Sequence, residues 1–363
     1  MKHSPIGVGI IGASPGPGWA THAHLPALAH LPGYRMVAVS TTKQASADAT
    51  ARAFGVPHAF DSAAALVAHP GVELIVVSVR APEHGPLVRA ALAAGKHVFC
   101  EWPVGPNLAE TTQLAALARD AGVHAVAGLQ GRLAPGFRQL RQLVADGYLG
   151  TLRSVHVHAA LPLLGARRPQ AWASTADIKN GANALHTVAA HLLDPVLSTF
   201  GRPTSFSALV VRQLTTTTLI ETGEILPVTA PDQVAVIGTL PGGAVLSARI
   251  EAGKRSGVLL AWTITGTEGD LELGGDFSLR GARGDGQPLA PIATPDDPAW
   301  PSRGALSDDA HRVAQIYAAL GPALRGGALD PLLVTFDEAV GIKQMLEAFV
   351  QSSTEGRRVA IGA

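Results

Sequence analysis

The sequence IGVGIIGASPGPGWAT, at residues 6–21, joins a short apolar run to a glycine-rich turn and then to the start of a helical segment. The apolar run predicts a buried strand over residues 7–11. Glycines in such a turn let backbone N–H groups approach a pyrophosphate at a helix N-terminus. Ser14 replaces the second glycine of the usual pattern and the turn is longer, so a purely structural turn is the alternative. The predicted dinucleotide-binding residues of this turn are Gly12, Ser14, Gly16, Gly18 and Trp19.

The first 150 residues alternate short apolar runs with alanine-rich amphipathic segments. This alternation is typical of βαβ units, and the right-handed crossover rule then favours a doubly wound parallel sheet. We therefore predict an α/β fold whose N-terminal Rossmann domain occupies residues 1–150. Its predicted strands lie at 7–11, 36–39, 74–79, 97–100 and 124–127, with helices at 62–68 and 86–94 among others.

From about residue 151 the pattern changes to alternating strands typical of an antiparallel sheet. We predict an α+β substrate and oligomerisation domain over residues 151–330, with a large, mainly antiparallel open sheet. Residues 331–363 are expected to form a C-terminal helix, and both this helix and the one at 308–324 are expected to pack back on the first domain. The predicted strands are 154–160, 204–211, 234–239, 244–250 and 261–265, the helices are 181–200, 308–324 and 333–352, and a surface loop covers 284–302.

The composition excludes several classes of protein. The chain has 363 residues, is 47% hydrophobic, and carries 28 basic and 28 acidic side chains. Disorder is therefore excluded, and no net charge would attract nucleic acid, an anionic membrane or a polyanion. The single cysteine, Cys100, lies in a predicted strand and is expected to be inert core packing. Because we find neither a signal peptide nor an apolar run of about 20 residues, we expect a cytoplasmic protein.

The end of the second predicted strand bears on the choice of dinucleotide. An NAD site commonly places Asp or Glu here to bind the ribose 2′-hydroxyl, whereas this chain has Ser40 followed by Thr41, Thr42 and Lys43. Three hydroxyls and an ammonium group favour a 2′-phosphate. We therefore predict NADP as the cofactor, with NAD still possible and a merely polar loop as the alternative.

Other segments resemble the Gfo/Idh/MocA oxidoreductases over essentially the whole chain. They include VRAPEH at 79–84, GKHVFCEWP at 95–103 and HLLD at 191–194. The resemblance implies a two-domain dehydrogenase that oxidises a sugar or polyol hydroxyl, as a homodimer or homotetramer packed through the open sheet. It further implies that the cofactor contacts Arg80, Pro82, His84, Glu101, Pro103 and Gln130.

The match is incomplete at the residues that carry out catalysis in the family. The family lysine corresponds to Trp102 and the family aspartate to Thr187, so His191 alone is retained. The Glu-Trp-Pro sequence resembles the sequences of one branch of the family. That branch contains the yeast galactose-pathway repressor, which binds dinucleotide but regulates transcription. Two functions therefore remain: an NAD(P)-dependent oxidoreductase, and a catalytically silent dinucleotide-binding regulator or sensor.

Oxidation of an alcohol requires a group that accepts the hydroxyl proton. Tryptophan cannot accept it but can stack on a sugar or nicotinamide ring. His191 is the predicted acid/base unless it is structural, and Lys179 could supply the missing ammonium unless it is simply solvated. The predicted substrate-binding residues are Trp102, Arg132, Trp172, Asn183 and Thr187.

His186 should point about 140° away from His191 on a helix with about 3.6 residues per turn, which favours a structural role. His156 and His158 share one strand face and line either the pocket floor or the outer face of the sheet. No His, Cys, Asp or Glu spacing indicates a metal site.

Overall fold

The computed structural model describes residues 4–16, 18–295 and 297–361, so Pro17 of the glycine-rich turn lies outside the described residues. The chain divides into two compact units. In the described residues the first contains 4–133 and 297–340, and the second contains 134–295 and 341–361. This division differs from the expected limits at 150 and 330.

The strands follow the two predicted patterns. In chain order they are β1 (Ile6–Ile11), β2 (Tyr34–Ser40), β3 (His58–Phe60), β4 (Leu74–Val77), β5 (His97–Glu101), β6 (Ala125–Gly128), β7 (Leu152–Leu161), β8 (Arg167–Arg168), β9 (Ser205–Val211), β10 (Thr216–Leu219), β11 (Ile225–Pro227), β12 (Gln233–Thr239), β13 (Val245–Ala252), β14 (Leu259–Gly266), β15 (Gly269–Gly274), β16 (Leu279–Arg283), β17 (Ala290–Ile292) and β18 (Val359–Ala360). All ten predicted strands are present, with ends that differ by at most two residues.

The α-helices are α1 (Leu25–Ala29), α2 (Gln44–Phe54), α3 (Ala63–Val67), α4 (His84–Ala93), α5 (Leu108–Ala121), α6 (Pro135–Ala145), α7 (Ala190–Phe200), α8 (Asp308–Ala323) and α9 (Phe336–Glu355). Local signals set several of their ends. Ser62 and Asn107 accept hydrogen bonds from backbone N–H groups at the starts of α3 and α5. Gly55 and Gly122 end α2 and α5 in the left-handed conformation that glycine adopts easily.

The first unit contains a six-stranded sheet in the order β3-β2-β1-β4-β5-β6, with every pair parallel. The order reverses between β1 and β4, as in a doubly wound Rossmann fold. This confirms the predicted N-terminal fold. Cys100 is fully buried in β5, and burial raises the pKa of its thiol well above 9.0, in accord with an inert core residue.

Helix α8 belongs to the core of the first unit. Its Val313, Tyr317 and Leu320 are buried in one cluster with Ile6 and Val8 of β1. The helix predicted at 308–324 was expected to pack back on the first domain, and the apolar face of α8 completes the core of the first unit. Residues 297–340 accordingly lie in that unit, whereas the predicted second domain extended to residue 330.

The second unit contains a nine-stranded sheet in the order β17-β16-β15-β14-β7-β13-β12-β9-β18. Only β13 and β7 pair in parallel, so the sheet is mainly antiparallel, as predicted. In β7, Val155 and Val157 are buried while His156 and His158 are exposed. Of the two alternatives for these histidines, the structure therefore selects the outer face.

The last helix does not pack wholly on the first unit as expected. Phe349 of α9 contacts Phe206 of β9 with ring centroids 4.7 Å apart. The hydroxyls of Ser352 and Ser353 accept hydrogen bonds from the N–H groups of Ala208 and Val210 in β9. Because the two-residue strand β18 leaves much of the β9 edge unpaired, these hydroxyls satisfy edge amides that would otherwise lack partners.

Candidate dinucleotide site and residues of the second unit

A cleft of about 560 Å³ opens in the first unit where β1, β2 and β4 end. It lies where the strand order reverses, which is where ligands bind in open α/β sheets. Its charged groups are Arg80, Asp61 and Glu83. The full lining is Ile11, Gly12, Ser14, Ser40, Thr41, Thr42, Asp61, Ala63, Ser78, Val79, Arg80, Glu83, Pro86 and Leu87.

The backbone of the glycine-rich turn lies very close to Ser78, the residue that follows β4. Gly12 has φ +95°, and a Cβ there would lie 2.3 Å from the Ser78 carbonyl oxygen. Gly16 has φ +102° but no described atom within 4 Å of such a Cβ. Gly12 and Ser14 line the cleft, whereas Gly16, Gly18 and Trp19 lie in the same turn outside its wall. The turn thus brings two of the five predicted residues to the cleft.

Two buried polar atoms near this turn lack a hydrogen-bond partner among the described residues: Ser40 Oγ and Trp19 Nε1. Ser40 is 1% exposed and lines the cleft. Buried polar atoms are nearly always paired, so a lone hydroxyl in a cleft wall indicates a ligand or an ordered water. A ribose hydroxyl would satisfy it, and the cleft therefore fits a nucleotide.

The residues after β2 occupy different positions. Thr41 and Thr42 line the cleft, but Lys43 is not part of the wall. The Thr41 hydroxyl donates to the Lys43 carbonyl oxygen at 2.9 Å, so its proton is already used within the turn. Asp61, which follows β3, also lines the cleft and was missed by the sequence analysis. The three-residue strand β3 was not predicted, so nothing marked Asp61 as lying at a strand end.

His84 joins two loops at the carboxyl ends of β4 and β5. Its Nδ1 lies 2.8 Å from the Pro103 carbonyl oxygen and its Nε2 lies 3.0 Å from that of Val79. Burial lowers the pKa of His84, and the two carbonyl contacts oppose that shift. The side chain therefore fixes the loops that carry Arg80 and Pro103, while Arg80 itself is exposed and lines the cleft. Pro82 is half-buried beside it.

Glu101, at the end of β5, is held by a buried chain of hydrogen bonds. Its Oε1 lies 2.9 Å from Nε2 of His24, and Nδ1 of His24 lies 2.8 Å from the Tyr317 hydroxyl. Burial raises the pKa of Tyr317 well above 10.0, so this hydroxyl stays protonated and can donate to His24. A Cβ on Gly128 would meet the Glu101 carboxylate at 2.6 Å. The carboxylate is thus fixed beside Trp102, which is 6% exposed.

Glu101 was predicted as a cofactor contact from the family resemblance. Its hydrogen-bond partner His24, and Tyr317 beyond it, were not predicted. Sequence shows no link between them because they lie 293 residues apart.

Arg132 is bound to a carboxylate that caps a helix. Its Nη1 lies 2.6 Å from Oε1 of Glu338, and it is 5% exposed. Glu338 also accepts a hydrogen bond from the Thr335 N–H, and Thr335 Oγ1 accepts from the Glu338 N–H, which is a capping box at the start of α9. Gln130 is buried nearby in sequence, at 7% exposed. The substrate role of Arg132 stays a prediction.

In the second unit, the Asn183 side chain caps the start of a helix. Its Oδ1 accepts hydrogen bonds at 3.0 Å from the N–H groups of Leu185 and His186, and its Nδ2 lies 3.2 Å from Nδ1 of His186. The segment Ala184–Ala189 is π-helical and continues into α7. A π-helix closes its hydrogen bonds over five residues. The expected 140° between His186 and His191 therefore rested on the wrong helix geometry.

The remaining predicted residues lie on or before this helical run. His191 is half-buried in the first turn of α7. Thr187 Oγ1 is buried with no hydrogen-bond partner in the described part of the chain. Lys179 is exposed in the short turn Ile178–Asn180, and Trp172 is 39% exposed in the preceding segment. The second unit thus holds one unsatisfied hydroxyl, one accessible imidazole and one exposed indole among the predicted residues.

Lys343 is a buried lysine that the sequence analysis missed. It is 0% exposed on α9, and burial lowers its pKa to about 8, with Glu347 opposing the shift. Burial and the nearby Lys343 lower the pKa of His186 to about 3, so His186 is neutral at physiological pH. Ile342, Met345 and Leu346 share the buried side of α9, and a lysine within such an apolar pattern is the signal that could have revealed it.

Lys343 should give stability a distinctive pH dependence. Its pKa is about 8 in the folded chain, against 10.5 for an ordinary lysine, so the unfolded chain binds more protons between these values. The free energy of unfolding of the native chain, relative to Lys343→Met, should therefore rise by up to about 3 kcal/mol as pH increases from 8 to 10.5. Urea unfolding at several pH values measures this difference. Lys179→Met removes an exposed lysine and should show no such rise; a flat difference for Lys343→Met would contradict the assignment.

Two absences apply to the part of the chain that the structure describes. No helix there is both long enough and apolar enough to cross a membrane. No group of three or more His, Cys, Asp or Glu side chains among these residues could hold a metal ion.

Comparison with known proteins identifies both parts of the chain. Residues 6–129 match the Gfo/Idh/MocA oxidoreductase family, NAD-binding Rossmann fold, and residues 135–275 match the C-terminal domain of Gal80p. Dehydrogenase aclE of Aspergillus oryzae is 34% identical over 209 residues, which cover 56% of this chain and only 57% of that protein. The galactose/lactose metabolism regulatory protein GAL80 of Saccharomyces cerevisiae is 27% identical over 296 residues, covering 75% of this chain and 67% of that protein.

A solved structure of levoglucosan dehydrogenase in complex with NADH and L-sorbose shares the fold. Its TM-score is 0.84 at 20% identity, and the match covers 99% of this chain and 100% of the other. With the two family matches, this similarity extends over both units. The chain therefore belongs to the Gfo/Idh/MocA oxidoreductase family, in the branch whose second domain is of the Gal80p type.

Proposed function

We propose that this protein is an NAD(P)-dependent oxidoreductase that acts on a sugar, polyol or related hydroxyl compound by hydride transfer. The observation that carries the proposal is the cleft at the strand reversal, whose wall contains the exposed side chain of Arg80 and the Ser40 hydroxyl, which has no hydrogen-bond partner among the described residues. A sugar-like substrate is supported by the similarity to a dehydrogenase crystallised with NADH and L-sorbose. The bound nicotinamide would supply or accept the hydride.

The chain's own residues would bind and orient the reactants and move one proton. The glycine-rich turn and Arg80 would bind the pyrophosphate. Glu101, whose Oε1 lies 2.9 Å from Nε2 of His24, would position the cofactor. Trp102 would shape the pocket, since indole cannot accept a proton. His191 would hold the substrate hydroxyl proton, with Lys179 as the weaker candidate. The proposed substrate-binding residues also include Arg132, Trp172, Asn183 and Thr187. The Oδ1 atom of Asn183 already accepts two hydrogen bonds from its own helix.

The NADP preference expected from the sequence now has less support. It rested on the hydroxyls and ammonium group after β2. Lys43 is exposed and is not part of the cleft wall, and the Thr41 proton is used within the turn. The cofactor is therefore proposed as a nicotinamide dinucleotide.

A homo-oligomer is also proposed. Large apolar side chains are exposed on the nine-stranded sheet: Leu209 at 57%, Ile237 at 61% and Val245 at 47%. Strands β9, β12 and β13 carry them, and Ile237 pairs directly with Ser207 and Ser247. Such a patch is costly to leave in water and is typical of an interface. Sedimentation equilibrium at micromolar concentration should find a dimer or tetramer, and a monomer would contradict this part of the proposal.

The second candidate is a dinucleotide-binding regulator without catalysis. Trp102 in place of the family lysine and the Gal80p-type second domain favour it. GAL80 of Saccharomyces cerevisiae is named as a regulatory protein, and the match to it covers more of this chain than the match to the dehydrogenase does.

One experiment separates the two functions. The purified protein is titrated with NADH and NADPH by fluorescence, and reduction of NAD and NADP is then followed by absorbance with a panel of sugars, sugar acids and polyols. We expect micromolar nucleotide binding and turnover with at least one compound. Binding without turnover across the panel would favour the regulator, and absence of binding to either nucleotide would reject both.

A further inference from the structure

We propose that Asp61 determines the choice of cofactor by repelling a 2′-phosphate, so that the protein prefers NAD(H) to NADP(H). The inference rests on the proposed function, because it assumes a dinucleotide in the cleft of the first unit. It reverses the preference that the residues after β2 suggested by themselves.

Sheet pairing brings Asp61 to the place where an NAD site commonly has its acidic residue. That residue usually follows β2 and binds the ribose 2′-hydroxyl. Here β3 pairs in parallel with β2, with Ser40 opposite Phe60, and the Thr41 N–H donates to the Phe60 carbonyl oxygen at 3.1 Å. The residues that follow these two strands are therefore neighbours. Asp61 supplies from the adjacent strand the carboxylate that β2 lacks.

The Asp61 carboxylate is not engaged elsewhere. Among the described residues it forms no hydrogen bond and no ion pair, and it is exposed in the cleft wall. It is not needed to cap α3, because Ser62 Oγ already accepts the hydrogen bond from Ala65 N–H. The side chain is thus free to accept hydrogen bonds from ribose hydroxyls, together with the unsatisfied Ser40 Oγ of the same wall.

The cations that could offset this carboxylate lie elsewhere. Lys43, the only basic residue among the three that join β2 to α2, is not part of the wall. Arg80 is in the wall, but it follows β4, and both β1 and β2 separate β4 from β3 in the sheet. A 2′-phosphate at the β2–β3 end would therefore meet a carboxylate without an adjacent cation. At a partly solvated site, repulsion between two like charges is strong enough to weaken binding by about tenfold or more.

The test compares Kd values for NADH and NADPH in the native chain, Asp61→Asn and Glu83→Gln, all at the same low ionic strength. Glu83 is the matched control, because it is an exposed carboxylate of the same cleft that follows β4 instead. We expect the native chain to bind NADH at least about tenfold more tightly. Asp61→Asn should tighten NADPH about tenfold and change NADH by less than about threefold, since asparagine still hydrogen-bonds but carries no charge. Glu83→Gln should leave the ratio unchanged.

Three results would overturn the inference while leaving the proposed function intact: native preference for NADPH, an unchanged ratio in Asp61→Asn, or an equal shift in Glu83→Gln. Failure of the native chain to bind either nucleotide would reject the proposed function itself. Raising the salt concentration should reduce the discrimination of the native chain but not that of Asp61→Asn, because salt screens the charge repulsion.

Discussion

Gly12→Ala should weaken NADH binding by about 100-fold or more. A methyl group at residue 12 would lie 2.3 Å from the Ser78 carbonyl oxygen, and the φ of +95° is one that alanine rarely adopts. The Ser78 oxygen belongs to backbone that follows β4 directly, so it cannot move without disturbing the central sheet. The turn must shift instead, and it would carry Ser14 and the pyrophosphate-binding backbone with it. A loss of about 3 kcal/mol in binding corresponds to the expected change.

Fluorescence titration with NADH measures this effect, with a thermal melt to show that the variant is folded. Gly16→Ala is a graded control, because φ is +102° there but no described atom lies within 4 Å of the added Cβ. It should lose less affinity than Gly12→Ala. Gly33→Ala, which meets no described atom and needs no left-handed backbone, should bind normally. A Gly12→Ala protein that binds within about threefold of the native chain would show that the turn does not hold the dinucleotide.

Local sequence patterns predicted the parts of the first unit that depend on neighbours in the chain. The apolar run before the glycine-rich turn and the four runs that follow correspond to β1, β2, β4, β5 and β6. Parallel strands buried on both faces give continuous apolar runs, which are easy to recognise. The glycines of the turn were also recognisable, because left-handed backbone and close approach both select glycine.

The parts that were missed depend on distant contacts. Asp61 gained its position from β3, which is too short to show a period. His24 gained its role from Glu101 and Tyr317, which approach it only in the folded chain. The helix at 181–200 was predicted, but its π-helical first part, Ala184–Ala189, was not. The chain rejoins the first unit at residue 297 instead of after residue 330, and this limit depends on the burial of α8 in the core of that unit.

The properties of the other proposed pocket residues narrow the choice of proton acceptor. Trp102 has no basic atom, and the Asn183 amide is bonded to its own helix and to His186. His186 has a pKa of about 3, so it is too weak a base to hold a proton near neutral pH. Lys179 is exposed in a short turn, where a flexible, strongly hydrated ammonium group is typical. His191 is therefore the proposed acid/base in the second unit.

His191→Ala should lower kcat by about 10²-fold to 10⁴-fold, the range that a positioned acid or base contributes. Kd for NADH should stay within about threefold, because the residues described in the wall of the proposed dinucleotide cleft all belong to the first unit. Steady-state kinetics with the best substrate of the panel, combined with nucleotide titration, measure both values. His156→Ala is the matched control, since His156 is exposed on the outer face of β7 and should leave kcat unchanged. If His191→Ala keeps native kcat while Lys343→Met loses it, the buried lysine with a pKa of about 8 is the proton carrier instead.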